Sequence, residues 1–470
     1  MPRPFRCGSG AESDKVAIMF LRNGSAGKET TSAARGRVAS PSTREPSRAS
    51  RLAACLPRVA LPGALLLLPG LAAAQTQTIG PEATARGVTV QTRPRPDYDP
   101  AGVRLGAFRI DGSVEAGMGY DDNIQPSLQS EPSDGFFTER LNASAASQWT
   151  RHALGLNVTQ STRQYLQYND LNWNDYSVGL SGRYDIGRAS SLNASYTHLR
   201  SHLDVDDFEL QQGGISRPLP YDSDVFQVGG TATFNRLALS TTLNYTTIRY
   251  DRQQNSGGFQ NDAQDDYDSK AAEIRGEYSL VPGRRIVALV RLQDISHTES
   301  SQSGSDSFTW EGQGGFDYDF DGLWAARLLV GYRQRDYEQP GRKSLTGPAF
   351  EGQLMWMPTQ LTTTTLAIQR TIEESIRNDN VSYTRTAASL TVDHELRRNL
   401  ILTGSLRAEH RDYPDVGTVT DGIVLVGAQL LLNRNMALTA DYQHTERLSA
   451  PEGYREYGIN QVAVRLRFAL

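Results

Sequence analysis

The sequence predicts an all-β protein, a transmembrane antiparallel up-and-down β-barrel of about 18 strands, with 16 the next count. Three observations carry this reading. An export-type apolar run ends near residue 74. Apolar and polar residues alternate with a period of two from about residue 103. Short and long connections then take turns to the end of the chain.

The apolar run, residues 59–74, is shorter than the roughly 20 residues a membrane helix needs, and Pro62 and Pro69 interrupt it. Arg51 and Arg58 precede it, and Ala72, Ala73 and Ala74 end it before the polar Gln75. A basic flank, a short apolar centre and a small-residue exit are the parts of a secretory signal peptide, so cleavage is expected after Ala74. Residues 1–74 then form an N-terminal extension and signal that is removed, 75–102 a short periplasmic segment, and 103–470 the barrel.

Residues 75–470 carry 37 Lys and Arg against 49 Asp and Glu, a net charge of −12, which argues against a nucleic-acid partner. Both cysteines, Cys7 and Cys55, precede the cleavage point, so the exported part has neither disulfides nor thiolate metal sites.

The alternation is clearest at the end of the chain. Val462, Val464, Leu466, Phe468 and Leu470 alternate with Ala463, Arg465, Arg467 and Ala469. Successive strand residues point to opposite faces, so this is a strand whose two faces meet different solvents. The pattern recurs near residues 226–234, 310–320, 324–332, 402–409 and 436–443, and is weak near 136–149 and 381–392. Short connections fall at 150–152, 185–189, 235–236, 281–285, 321–322, 357–360, 394–399 and 433–435. Long ones fall at 203–224, 251–270, 296–307 and 338–349, with smaller members near 121–135, 169–172, 377–380, 413–421 and 449–454. Eight turns and nine loops join 18 strands, with turns facing the periplasm and loops facing outside. Trp149, Tyr168, Trp173, Tyr184, Tyr250, Trp310, Tyr332, Tyr337 and Tyr413 lie near strand ends and suit interfacial girdles.

The stretch 102–124, GVRLGAFRIDGSVEAGMGYDDNI, reads as the first strand, after the lead-in PDYDP at 96–100. With the barrel behind it, it resembles the bacterial outer membrane proteins called beta-barrel porin 2, over about residues 96–470. The most specific part is GMGYDDN, 117–123. The resemblance implies an outer-membrane porin associated with exopolysaccharide export. Its partners would be outer-membrane lipids and lipopolysaccharide, the barrel assembly machinery and polysaccharide secretion proteins. The chain ends on Leu470 rather than on the terminal aromatic common in such barrels.

No catalytic site, metal or cofactor is expected. YTHLRSH at 196–202 resembles the outer membrane phospholipase motif, but Arg200 stands where a nucleophilic Ser would follow His198, and His198 has the parity of a girdle residue. The Asp-rich segments 204–207 and 262–268 match no defined Ca²⁺ loop and read as solvated, self-repelling loop tips.

The informative charges are those whose parity points inward. Arg327, Arg333, Arg407 and Arg465 are the candidate pore lining, with Arg275, Arg291, Arg335, Arg411 and Arg467 beside them. Glu273, Glu277, Glu311, Asp317, Glu409 and Asp441 share that face. They either pair across strands and fill a wet lumen or form a cationic stripe that favours anions. The function expected is passive passage across the outer membrane, export of an anionic exopolysaccharide. The alternatives are an uptake or general-diffusion porin for small anionic solutes, whose constriction loop 203–224 or 251–270 could supply, or an anchoring barrel.

Overall fold

The computed structural model describes residues 88–211, 217–251, 265–298, 305–320, 322–377 and 381–470. The export signal and its cleavage point lie outside the described residues. None of the described helices is long and apolar enough to cross a membrane. The crossing is made by strands.

Among the described residues, eighteen long strands pair in sequence order, each antiparallel to the next, and the last pairs with the first to close a barrel. They are β2 (Phe108–Asp121), β3 (Asp134–Ser147), β4 (Ala153–Tyr165), β5 (Trp173–Ile186), β6 (Ser190–Leu203) and β7 (Leu219–Phe234). Next come β8 (Leu237–Tyr250), β9 (Tyr267–Val281), β10 (Arg284–His297), β11 (Ser307–Phe320), β12 (Trp324–Tyr337) and β13 (Leu345–Thr359). The wall ends with β14 (Thr362–Glu374), β15 (Ser382–Arg397), β16 (Leu400–Tyr413), β17 (Gly417–Leu431), β18 (Met436–Ser449) and β19 (Gly458–Ala469).

The weakly patterned stretches form full strands, β3 and β15, so the count is 18 rather than 16. The expected first strand is divided. Val103–Leu105 forms a short β1 that folds back on the start of β2, Leu105 facing Phe108. Strands also run further into their connections than the polar sequence suggests. Residues 394–397 remain paired within β15 and 219–224 within β7, because beyond the hydrocarbon band a strand needs hydrogen-bond partners, not apolar side chains. The turns are accordingly two to five residues long. Between β9 and β10, Pro282 presets the turn and Gly283 takes φ +81°, a conformation most side chains avoid.

Each strand sorts its side chains by parity. On β19, Val462, Val464 and Phe468 are about half exposed on the outer face, while Ala463, Arg465 and Ala469 are buried within. The outer face is apolar because its solvent is lipid.

The stretch 117–123 closes the barrel. A Cβ on Gly117 would lie 2.2 Å from the Val464 carbonyl oxygen, so only glycine lets β2 and β19 approach there. Above it, Gln461 Nε2 donates to Asp121 (2.6 Å), Asn460 donates through its backbone and side-chain nitrogens to Asp122 (2.7 Å each), and Asn123 Nδ2 donates to the Gly458 carbonyl (3.0 Å).

Candidate functional site

The interior has two kinds of wall. On β4–β8 the inward face is largely hydroxyls and amides that pair across strands, with Arg163 and Asp175 as charges among them: Thr159 with Ser177 (2.7 Å), Thr231 with Ser240 (3.1 Å), and Ser195 donating to Gln227 (3.5 Å). From β9 onward the inward face is ionic. Arg327, Arg333, Arg407 and Arg465 all face inward, and each meets a carboxylate. Arg327 donates to Asp317 at 2.7 Å, and Asp317 also accepts from Arg285 at 2.9 Å. Arg285 reaches on to Glu277 (2.7 Å), which Arg275 also holds (2.7 Å). Arg333 is bonded to Glu311, Arg407 to Glu409 and Arg465 to Asp441. Arg291 lies between Glu273 (2.6 Å), Glu311 (3.0 Å) and Glu351 (3.3 Å).

Register explains several of these pairs. Asp317 stands directly opposite Arg327, Glu311 opposite Arg333 and Glu273 opposite Arg291. The geometry is therefore the cross-strand ladder, with positive and negative charge interleaved on one wall.

The outer mouth departs from one sequence expectation. Residues 204–207, expected as a solvated loop tip, fold inward together with 208–211. Val205, Phe208, Glu209 and Leu210 are buried. The segment leaves β6 and reaches β16, eight strands away around the wall, so it spans the mouth. Val205 packs with Ile124, Phe136, Tyr165 and Leu171, and Leu210 with Leu219, Tyr221, Ile248, Tyr250 and Ile376. Phe208 packs with Tyr383, Tyr413 and Val419. The apolar residues within the acidic run were the available signal. Burying them offsets the cost of bringing in the acids.

Those acids are held individually. Glu209 Oε1 accepts from the Tyr413 hydroxyl (2.6 Å), and its Oε2 accepts from the Ser375 hydroxyl (2.8 Å) and the Ile376 amide (2.9 Å). Asp207 accepts from Arg411 at 3.2 Å. Arg447 and the Tyr457 hydroxyl donate to the Asp206 carbonyl at 3.0 and 2.7 Å. Burial, with repulsion from Asp207, pushes the Glu209 carboxyl up to about 7. Burial, with Asp204 and Asp207 nearby, pushes Asp206 up to about 8.

Aromatic side chains ring this loop. Trp149, Tyr168, Tyr184, Trp310 and Tyr332 are exposed, as girdle residues should be. Tyr250 and Tyr413 are instead buried inside the mouth, and Tyr337 and Trp173 share the inward parity of Arg335 and Asp175. With Phe136, Tyr165, Tyr221 and Tyr383 they form an inward collar. The two-residue period already marked them, since Tyr413 has the parity of Arg411 and Glu409.

At the periplasmic mouth, residues 88–95 lie against the inner wall. The Val90 amide donates to Thr363 Oγ1 (3.0 Å), Gln91 to Asp393 (2.8 Å), and Arg95 to Glu395 (2.8 Å), both members of the last pair being nearly fully buried. On the outer surface, His198 Nδ1 lies 2.9 Å from Asp224, and Arg200 is bound to Asp222 and Asp251. No cluster of three His, Cys, Asp or Glu among the described residues could hold a metal ion.

Residues 95–470 match the family described as "Putative beta-barrel porin 2". No curated protein matches the chain. Among solved structures it is similar to OccAB2 of Acinetobacter baumannii (11% identity, 77% of this chain and 97% of that one, TM-score 0.43). It is also similar to OccK9 (OpdG) of Pseudomonas aeruginosa (12%, 77% and 98%, 0.42) and to a BenF-like porin from Pseudomonas fluorescens Pf-5 (12%, 78% and 100%, 0.43).

Proposed function

Because the chain belongs to the beta-barrel porin 2 family of outer-membrane barrels, we propose that it is a passive channel through which an anionic exopolysaccharide leaves the cell. A barrel of this strand number is wide enough for an aqueous lumen. The observation that carries the reading is the inward aromatic collar set above walls of hydroxyls, amides and ion pairs. Sugar rings present apolar C–H faces to aromatic rings and hydroxyls to polar walls, so a glycan is matched in both respects. Arg327, Arg333, Arg407 and Arg465 line the ionic wall, and passing carboxylates can exchange with their present partners. Lipopolysaccharide surrounds the outer rim, and polysaccharide secretion proteins deliver the chain from the periplasm.

A second reading, uptake of small anionic solutes, is favoured by one observation: residues 204–211 span the mouth as a constriction. Two measurements separate the readings. Reversal potential in a planar bilayer under a KCl gradient should show an anion preference that declines when the four arginines become Gln. A cation-selective pore unmoved by these changes leaves the arginines as wall-stabilising partners. In cells, deleting the gene should trap acidic polymer in the periplasm. Normal secretion together with lost uptake of organic anions would favour the second reading.

A further inference from the structure

Resting on that channel reading, we propose that the outer mouth contains a binding site for a uronic acid residue, a sugar ring bearing a carboxylate. In the closed barrel, Phe208 and Glu209 of the chain's own loop occupy that site as an internal stand-in.

The receiving groups come from the outer end of β16 and from the loops that follow β14 and β18, not from the segment they hold. Three neutral donors converge on the Glu209 carboxylate: the Tyr413 and Ser375 hydroxyls and the Ile376 amide, at 2.6–2.9 Å. Beside them the Phe208 ring lies 4.4 Å from the Arg377 guanidinium carbon, with the Tyr454 ring at 4.8 Å and the Tyr413 ring at 5.2 Å. Arg377 also donates to the Phe208 carbonyl (3.0 Å) and to the Tyr454 hydroxyl (2.6 Å). A flat group clamped between a cation and two aromatic rings, next to a carboxylate held by three donors, is the chemistry of a pyranose carrying an acid. The loop contributes only the occupant.

The arrangement also makes the mouth responsive. Asp206 lies beside Asp204 and Asp207, and Glu209 beside Asp207, so ionising them inside the mouth favours departure of the loop. An acidic glycan that takes the place of Phe208 and Glu209 releases the loop into solvent. The channel's cargo is then also the ligand that opens its mouth, and a neutral glycan lacks the group needed to displace Glu209.

The test uses the full-length protein in planar bilayers, with trigalacturonate added on the loop side and maltotriose as the neutral control. Phe208→Ser with Glu209→Ser vacates the site, so trigalacturonate should bind about tenfold more tightly than to the unaltered protein, read as current block. Adding Ser375→Ala and Arg377→Gln should abolish that gain. Equal affinities in the unaltered and vacated proteins, or equal block by maltotriose, would overturn the site while leaving a conducting channel. A folded barrel that conducts in none of these forms would instead overturn the channel reading. Should the double variant fail to form a heat-modifiable barrel, Glu209→Gln in detergent, titrated calorimetrically with trigalacturonate, reads the same competition. A gain of about threefold is expected there, and no gain refutes the site.

Discussion

Leu328 and Arg327 are neighbours on β12 whose side chains meet different solvents, and exchanging their character gives the sharpest test of the barrel. Leu328 is 40% exposed on the outer face, opposite Phe316 on β11 and Gly352 on β13. Its height follows from the aromatic pairs on either side. Trp324 stacks on Trp356 four residues toward the periplasm, and Tyr332 packs on Trp310 four residues toward the outside. At ~3.3 Å per residue along a strand tilted ~45°, each pair lies about 9 Å away along the membrane normal. Leu328 is therefore near the midplane, where an arginine on the lipid face of a barrel costs about 2–4 kcal/mol. Arg327→Leu removes one of the two arginines on Asp317, which keeps Arg285 at 2.9 Å and so is not left unpaired, and its cost should be the smaller of the two. Urea titration of the barrel folded into vesicles, scored by the heat-modifiable band, measures both. Leu328→Arg should unfold at distinctly lower urea than Arg327→Leu. Equal losses would refute the assignment of faces on β12, and with it the inward placement of Arg327 and Arg333.

Conductance should rise with pH between about 5 and 8. Glu209 faces Asp207, Asp265, Tyr250, Tyr383 and Tyr413, and Asp206 faces Asp204, Asp207, Asp421, Tyr457 and Arg447. Both carboxyls titrate higher in the closed loop than in water, so closure is fully favoured below about pH 4 and is lost as pH rises through about 7 to 8. Each proton released on opening shifts the balance tenfold per pH unit, and a flat profile would remove these groups as the cause. Gly117→Ala should reduce the folded fraction, since its methyl meets the Val464 carbonyl and overpacking costs about 1–3 kcal/mol. Gly404→Ala, which meets no atom within 4 Å, should be neutral in the same gel assay.

Much of the wall was legible from residue types alone. The two-residue period sorts Arg465 from Val464 and Arg327 from Leu328 without any knowledge of neighbours, because parity is a property of one strand. Pairing is not. That Asp317 stands opposite Arg327 depends on the register between β11 and β12, and single-strand parity cannot choose between a ladder and a stripe. The mouth was harder still. Leu203, Val205, Phe208 and Leu210 are visible in the sequence among the aspartates. Their burial, though, depends on Tyr221, Tyr383 and Tyr413, which come from strands up to ten positions further along the chain. Tyr250 and Tyr413 were misplaced for a simpler reason. Nearness to a strand end suggested a girdle, while their parity, which pointed inward, was the stronger signal.

The strap at the periplasmic mouth bears on the order in which the chain takes shape. Arg95 is anchored to Glu395, three hundred residues later, and Val90 packs against Ile401, Leu431 and Ala437. The segment made early in synthesis thus has no seat until the strands made late have formed the surface that receives it. A chain interrupted before β15 would leave residues 88–95 without Glu395, Ile401, Leu431 and Ala437 to hold them, exposed to any protease that cuts after arginine.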